Sequence, residues 1–257
     1  TQTAPPASSR LLTKVRHNLF WLTAAEQWSG AVKTIGRDCR RHPTIWLGAF
    51  LLIAMLALLR KRLQSRLGSM AEKLHRAKTD RMAYTAAATG ITLVLALPLP
   101  LALVFGGWRL GDAVDTTNFG RAAGAGLIAG GLYCGVLGIA FHLFRPEGLA
   151  RRHFRMPEEA SVFARKHLRW VKLLIVPLVI LYSMLVRHGS AVPLEPLGRI
   201  LFGLLLLAVL VGLAVLLRPG APLVKAILKR TRDGILQHSA YVGYSLVFLV
   251  PMGLIIA

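Results

Sequence analysis

The stretch AAGAGLIAGGLYCGVLGIAFHLF, Ala122–Phe144, contains no Asp, Glu, Lys or Arg. A helix that crosses a bilayer needs roughly 20 mainly apolar residues, and this stretch meets the requirement. It is unusually rich in glycine: Gly120, Gly124, Gly126, Gly130, Gly131, Gly135 and Gly138 lie in it or just before it. Gly120/Gly124, Gly126/Gly130 and Gly131/Gly135 are each spaced at i and i+4. Glycine at that spacing lets a second helix backbone approach closely. Such close approach is how helices associate where lipid has removed the usual hydrophobic driving force. Two readings follow: a helix that lines a pore or slides, and a helix statically packed on its neighbours.

Working outward, five more apolar segments appear. The expected spans are about 43–59, 82–108, 122–144, 170–186, 200–217 and 235–257. The fourth has an uncharged part short of the usual length, so Trp170, Val171 and a snorkelling Lys172 are needed to reach across. Pro98 and Pro100 fall inside the second span, where they free backbone carbonyls and predict a kink. A broken helix can also form an ion site. Here no charged residue accompanies the break in sequence, which favours a structural kink.

The chain is 54% hydrophobic and carries a formal charge of +21. A nucleic-acid binder explains the charge but not the apolar runs. A membrane protein with basic loops explains both. The expected fold class is therefore all-α: a polytopic membrane protein of about six transmembrane helices plus interfacial amphipathic helices. Residues 1–42 read as linker and interfacial helices, and 43–257 as the transmembrane array. The start, TQTAPPASS, resembles a linker more than a signal peptide, and a longer polypeptide trimmed at both ends is the expectation.

The loops sort by charge. Arg60, Lys61, Arg62, Arg66, Lys73, Arg76, Lys78 and Arg81 separate spans one and two. Arg145, Arg151, Arg152, Arg155, Arg165, Lys166 and Arg169 separate three and four, and Arg218, Lys225, Lys229, Arg230 and Arg232 separate five and six. The alternate loops are nearly bare. The positive-inside rule puts the basic loops in the cytoplasm and the N-terminal side outside. Arg10, Lys14, Arg16, Lys33, Arg37, Arg40 and Arg41 near the N-terminus oppose that assignment, unless a large translocated domain precedes them. Arg60, Lys61, Arg62, Arg66, Arg151 and Arg155 are candidate contacts for anionic headgroups of the cytoplasmic leaflet. A solvated basic face without lipid specificity is the alternative.

Leu12, Val15, Leu19 and Leu22 share a helical face, continued by Trp28, Val32 and Ile35. This suits either a helix lying in the membrane interface or a plain connector. No catalytic or cofactor motif is present: there is no GxGxxG after a strand, no Walker loop, no HExxH and no CxxC. Cys39 and Cys134 are too far apart for a metal knuckle. The membrane core has almost no ionisable groups of the kind a coupled transporter or an intramembrane enzyme uses: only His142 and His238 qualify, near the cytoplasmic ends of their spans. No cofactor, metal or nucleic acid is expected.

The stretch GLARRHFRMPEE, Gly148–Glu159, sits between spans three and four. Pro157, Glu158 and Glu159 suit the first turn of a helix, with acid at its positive end. His153 has no second ligand at a useful spacing, so the segment reads as a cytoplasmic elbow and not a metal site. It also carries a resemblance. Gly148, Arg152, His153, Phe154, Met156, Pro157 and Glu158 match the G-x-A-x-R-H-F-x-[MW]-P-E signature of the inner-membrane domain of the large mechanosensitive channels MscK (KefA) and MscM, in the MscS superfamily. NLFWLT followed by RRHPTIWLGAFLL is similar to that family's approach to its first span. The resemblance implies heptamers of identical subunits in the bacterial inner membrane that open under tension and release solutes on osmotic downshock. It also implies an extracytoplasmic leading domain, a later pore helix and a cytoplasmic vestibule. The sequence departs from the full pattern in having no Gly/Ala pore helix followed by a β-rich domain. A transporter subunit and a membrane-anchoring scaffold are the alternative functions.

Overall fold

The computed structural model describes residues 16, 19–76, 81–146, 149–152, 156–188, 196–218 and 220–228. The elements are α1 (Ala25–Arg41), α2 (Pro43–Arg76), α3 (Arg81–Ala96), α4 (Pro98–Asp112), α5 (Asn118–Leu143), α6 (Leu149–Arg152), α7 (Glu158–His188), α8 (Pro196–Leu217) and α9 (Pro222–Leu228). No strand occurs among the described residues. The chain is an all-α polytopic membrane protein. Among the described residues, three helices (α5, α7 and α8) are long and apolar enough to cross a bilayer, or up to five if each of two bent pairs counts as one span. The expected sixth span, 235–257, lies outside the described residues.

Local chemistry sets the helix ends. Thr117 caps α5 by accepting a 3.0 Å hydrogen bond from the Gly120 backbone N–H, and its neighbour Thr116 donates to the Leu110 carbonyl at 2.8 Å. Together they hold the tight turn between α4 and α5. Helix α7 begins after Pro157 with Glu158 and Glu159 in its first turn, where carboxylates favour the helix dipole. Pro177 lies inside α7, and the helix continues through it.

Three of the expected spans lie in helices with bounds of their own. The first continues unbroken to Arg76, well past Leu59. The second is two helices rather than one kinked helix, with a 48° bend at Leu97 between α3 and α4. The stretch expected as the fourth span, 170–186, lies within the longer α7, which runs from Glu158 to His188.

Helix α5 is the centre of the bundle. It packs most extensively on α4 and α7, while α8 packs on α7, and α2 packs chiefly on α3 and α4. Leu22, Leu110, Phe119, Ala122, Met184 and Leu197 form the larger buried cluster, at the end of the bundle where α5 begins. A smaller cluster of Ile175, Val179 and Ala208 joins α7 to α8. Leu47, Phe50 and Leu58 on α2, Leu132 and Val136 on α5, and Leu204, Leu207 and Val211 on α8 remain exposed. Such an apolar belt is unfavourable in water and is the surface that a bilayer or a neighbouring subunit covers.

Candidate functional site

Helix α1 bends by 102° from the first part of α2. A chain that enters the membrane along α2 therefore lays α1 nearly at right angles to it. The Pro43 ring fits the start of α2, where the missing N–H costs nothing. The turn is closed by the His42 backbone N–H, which donates to the Asp38 carbonyl at 2.9 Å.

A buried ion pair fixes α1 in that position. Arg109, in the last turn of α4, donates from Nε to Asp38 Oδ2 at 2.9 Å and from Nη2 to Asp38 Oδ1 at 2.5 Å. The Trp46 indole, in the first turn of α2, donates to the same Oδ2 at 2.8 Å. One carboxylate thus ties α1, α2 and α4 together. The side chains of Arg109 and Asp38 are only 8% and 5% exposed. Burial alone raises the Asp38 carboxyl's pKa, but the hydrogen bonds from Arg109 and Trp46 and the Arg109 charge outweigh it. The net position is below the ordinary value of about 3.8.

Two further contacts hold α1 to the corner between α4 and α5. Arg37 and Arg41, one turn apart on α1, both reach Asp115 in the connecting loop, at 3.4 and 3.1 Å. Trp21 and Trp28 set their edges against Phe119, each with ring centroids 5.0 Å away. Edge contacts of this kind contribute about 0.5–1.5 kcal/mol each beyond area burial. Leu22 and Ala31 face the bundle, whereas Phe20 and Val32 face outward. The helical face expected from Trp28, Val32 and Ile35 is therefore split: Ile35 packs inward, Trp28 touches Phe119 but stays exposed, and Val32 faces outward. Leu12 and Val15 lie outside the described residues.

The α5 glycines divide between two neighbours. A Cβ on Gly124 would lie 2.6 Å from the Gly107 carbonyl oxygen, and a Cβ on Gly107 would lie 2.6 Å from that of Gly124. The two backbones touch there, and only glycine on both sides allows it. Gly131 faces Val104 and the Pro100 carbonyl. On the opposite side, a Cβ on Gly126 would lie 2.7 Å from the Ile180 carbonyl oxygen, and Gly130 faces the Ile180 side chain. Gly135 and Gly138 have more room, since a Cβ on either would meet its nearest atom at 3.6 Å. Gly120 packs against Thr116, in its own cap.

Pro98 is the first residue of α4 and Pro100 follows two residues on, so the break falls on this proline pair. Pro100 has no N–H to offer the Ala96 carbonyl. The position of a Gly138 Cβ would be 3.7 Å from that carbonyl oxygen and 3.9 Å from Lys172 Nζ. The break is therefore accompanied by a charge after all: Lys172 turns its ammonium toward the bundle at the level of the break. Sequence order concealed this, because Lys172 comes from a helix far along the chain.

Of the elbow signature, Met156, Pro157 and Glu158 are described, and Gly148, His153 and Phe154 lie outside the described residues, as does Arg155. The Met156 backbone N–H donates to the Ala150 carbonyl at 3.0 Å. Arg151 pairs with Glu158 at 3.0 Å. Ser161 donates to the Phe144 carbonyl at 2.5 Å, joining the first turn of α7 to the end of α5. Arg60, Lys61 and Arg66 continue α2, and Arg152 ends α6, but their side chains are not among those described. Arg62 is exposed on α2.

Asp38, Arg109, Trp46 and Asp115 were not legible as a site in the sequence. The one available signal was Asp38 itself, a single acid within the run from Lys33 to Arg41. Among the described residues no group of His, Cys, Asp and Glu could hold a metal ion.

No curated protein and no solved structure matched the chain. Residues 43–257 match the family described as mechanosensitive ion channel inner membrane domain 1. That span covers most of the 257 residues. The all-helical array, the glycine-centred bundle and this match lead to one conclusion: the chain belongs to the inner-membrane domain family of the MscS-type mechanosensitive ion channels.

Proposed function

We propose that this chain is the tension-sensing array of a mechanosensitive channel that releases solutes on osmotic downshock. The observation that carries the reading is the clamped position of α1. Tension favours whichever state occupies more membrane area. A helix lying across the mouth of the spans, with Val32 turned outward and Phe20 exposed in the stretch just before it, is placed to feel lateral stretch in the interface. The Asp38–Arg109–Trp46 clamp passes that displacement to α2 and α4. The glycine contacts pass it from α4 through α5 to α7. Stiff, closely packed contacts transmit displacement where loosely packed ones absorb it.

In this reading the basic loops face the cytoplasm, and α1 and the 113–117 loop face outward. The pairing of Arg37 and Arg41 with Asp115 supports it, because part of the contrary N-terminal charge is neutralised within the fold. Residues 1–42 form the linker and interfacial segment, and 43–257 the membrane array. Arg60, Lys61, Arg62, Arg66, Arg151 and Arg155 contact headgroups. Identical subunits assemble as heptamers in the inner membrane, the pore belongs to another part of the polypeptide, and no cofactor takes part.

One observation favours a second reading as a solute transporter: Lys172 beside the broken helix resembles the arrangement at a transporter binding site. Osmotic downshock separates the two. Expression of the full-length protein in a bacterial strain lacking its own mechanosensitive channels is expected to restore survival after dilution into low-salt medium. Failure to restore survival, with energy-dependent solute accumulation instead, favours the transporter.

A further inference from the structure

At the opposite end of the bundle from the α1 clamp, two arginines converge on one aromatic ring. The Arg165 guanidinium carbon lies 5.2 Å from the Phe141 ring centroid, and that of Arg169 lies 6.0 Å from it. Phe141 is near the end of α5, and both arginines come from one face of α7. The ion pairs among the described residues use Arg37, Arg41, Arg109 and Arg151. Neither Arg165 nor Arg169 has a carboxylate there.

Arg165 Nε is buried and has no hydrogen-bond partner. A buried donor without an acceptor costs about 1–3 kcal/mol, and more when it belongs to a charged group. Two cations drawn to one ring add mutual repulsion. Both costs vanish if an anion sits between them. The guanidinium fork matches the oxygens of a phosphate, and Nε belongs to that fork.

The surroundings identify the kind of phosphate. Trp170 follows Arg169 and is exposed, as an interfacial tryptophan is. Leu173 and Leu174, one turn further into the apolar part of α7, are exposed as well. An acyl chain lying along them would bring its headgroup to Arg169. A soluble phosphate makes no use of that apolar track.

We propose that Arg165 and Arg169, stacked on Phe141, form a binding site for the phosphate of an anionic membrane lipid. The cytoplasmic leaflet is assigned by the orientation in the reading above, whereas the binding chemistry is independent of it. The site differs from the loop arginines in being pre-formed: a ring orients the two guanidinium groups, and a buried N–H awaits an acceptor.

Native mass spectrometry of the full-length protein, with added phosphatidylglycerol or phosphatidylcholine, tests the site without reference to gating. In wild type the most tightly held lipid should be phosphatidylglycerol. R165A/R169A should weaken its retention at least tenfold and leave phosphatidylcholine unchanged. R165K/R169K keeps the charges but loses the forks, and should weaken retention several-fold in a protein that still folds. Unchanged phosphatidylglycerol retention in a folded variant of either kind overturns the site. Displacement of the lipid by millimolar inorganic phosphate overturns the lipid assignment in favour of a soluble anion. A protein that binds the lipid as described yet fails to restore survival after downshock retains this site and loses the channel reading.

Discussion

Arg109→Leu should destabilise the folded protein by about 3–5 kcal/mol, the cost of leaving a buried carboxylate without its partner. Asp38→Leu should cost a similar amount, since it strands the guanidinium instead. The double variant Asp38→Leu/Arg109→Leu should be more stable than either single one, because two apolar side chains leave no buried charge behind. Thermal unfolding in detergent micelles reads all three. The geometry requires this pattern: two hydrogen bonds join the pair, and Trp46 adds a third to the same carboxylate. Equal losses that simply add in the double variant would show that the two groups do not act as a pair. The clamp also carries a pH dependence. The folded Asp38 carboxyl titrates below its ordinary value of about 3.8. Its contribution is therefore fully present above about pH 3.8 and is lost as pH falls through the lower folded value. The Arg109→Leu protein should lack that acid-dependent component.

The second large effect belongs to the α4–α5 contact. Gly124→Ala places a methyl group 2.6 Å from the Gly107 carbonyl oxygen, closer than a carbon can approach. The obstacle is backbone, so a helix must move. Overpacking of this kind costs about 1–3 kcal/mol. It must also overcome the gain of about 1 kcal/mol that alanine brings to a helix interior over glycine. Gly135→Ala makes the contrast sharp. Its new methyl would meet only the Pro100 ring, at an ordinary 3.6 Å, so this change should be neutral or stabilising. Unfolding midpoints that fall for Gly124→Ala and hold or rise for Gly135→Ala fit the arrangement. Equal behaviour at the two positions would refute the close backbone contact.

What the sequence made legible follows from what each signal is made of. Apolar length announced α5 and α8 with nearly correct bounds, because the requirement to span a bilayer is a property of consecutive residues. The proline pair located the break, because the missing N–H acts within one turn. The glycine spacing marked α5 as a helix approached closely, but not by what. Its two glycine faces meet α4 and α7, and that division depends on packing. The clamp was invisible for the same reason. Asp38 and Arg109 are far apart in sequence, and one looked like an exception in a basic run while the other looked like part of a bare loop. Lys172 was expected to snorkel from its own helix. Its position beside Ala96 and Gly138 appears only when α3, α5 and α7 are brought together.

The central claim is that membrane tension alone drives the protein through its conformational change. Excised-patch recording of the full-length protein, in symmetric salt with no nucleotide or solute gradient, tests it most directly. The account predicts that suction opens a conductance in graded fashion and that release of suction closes it. It further predicts that Arg109→Leu, in protein that still reaches the membrane, shifts the pressure at half-opening. A membrane that contains the protein and stays silent up to the pressure at which the patch ruptures would contradict the account.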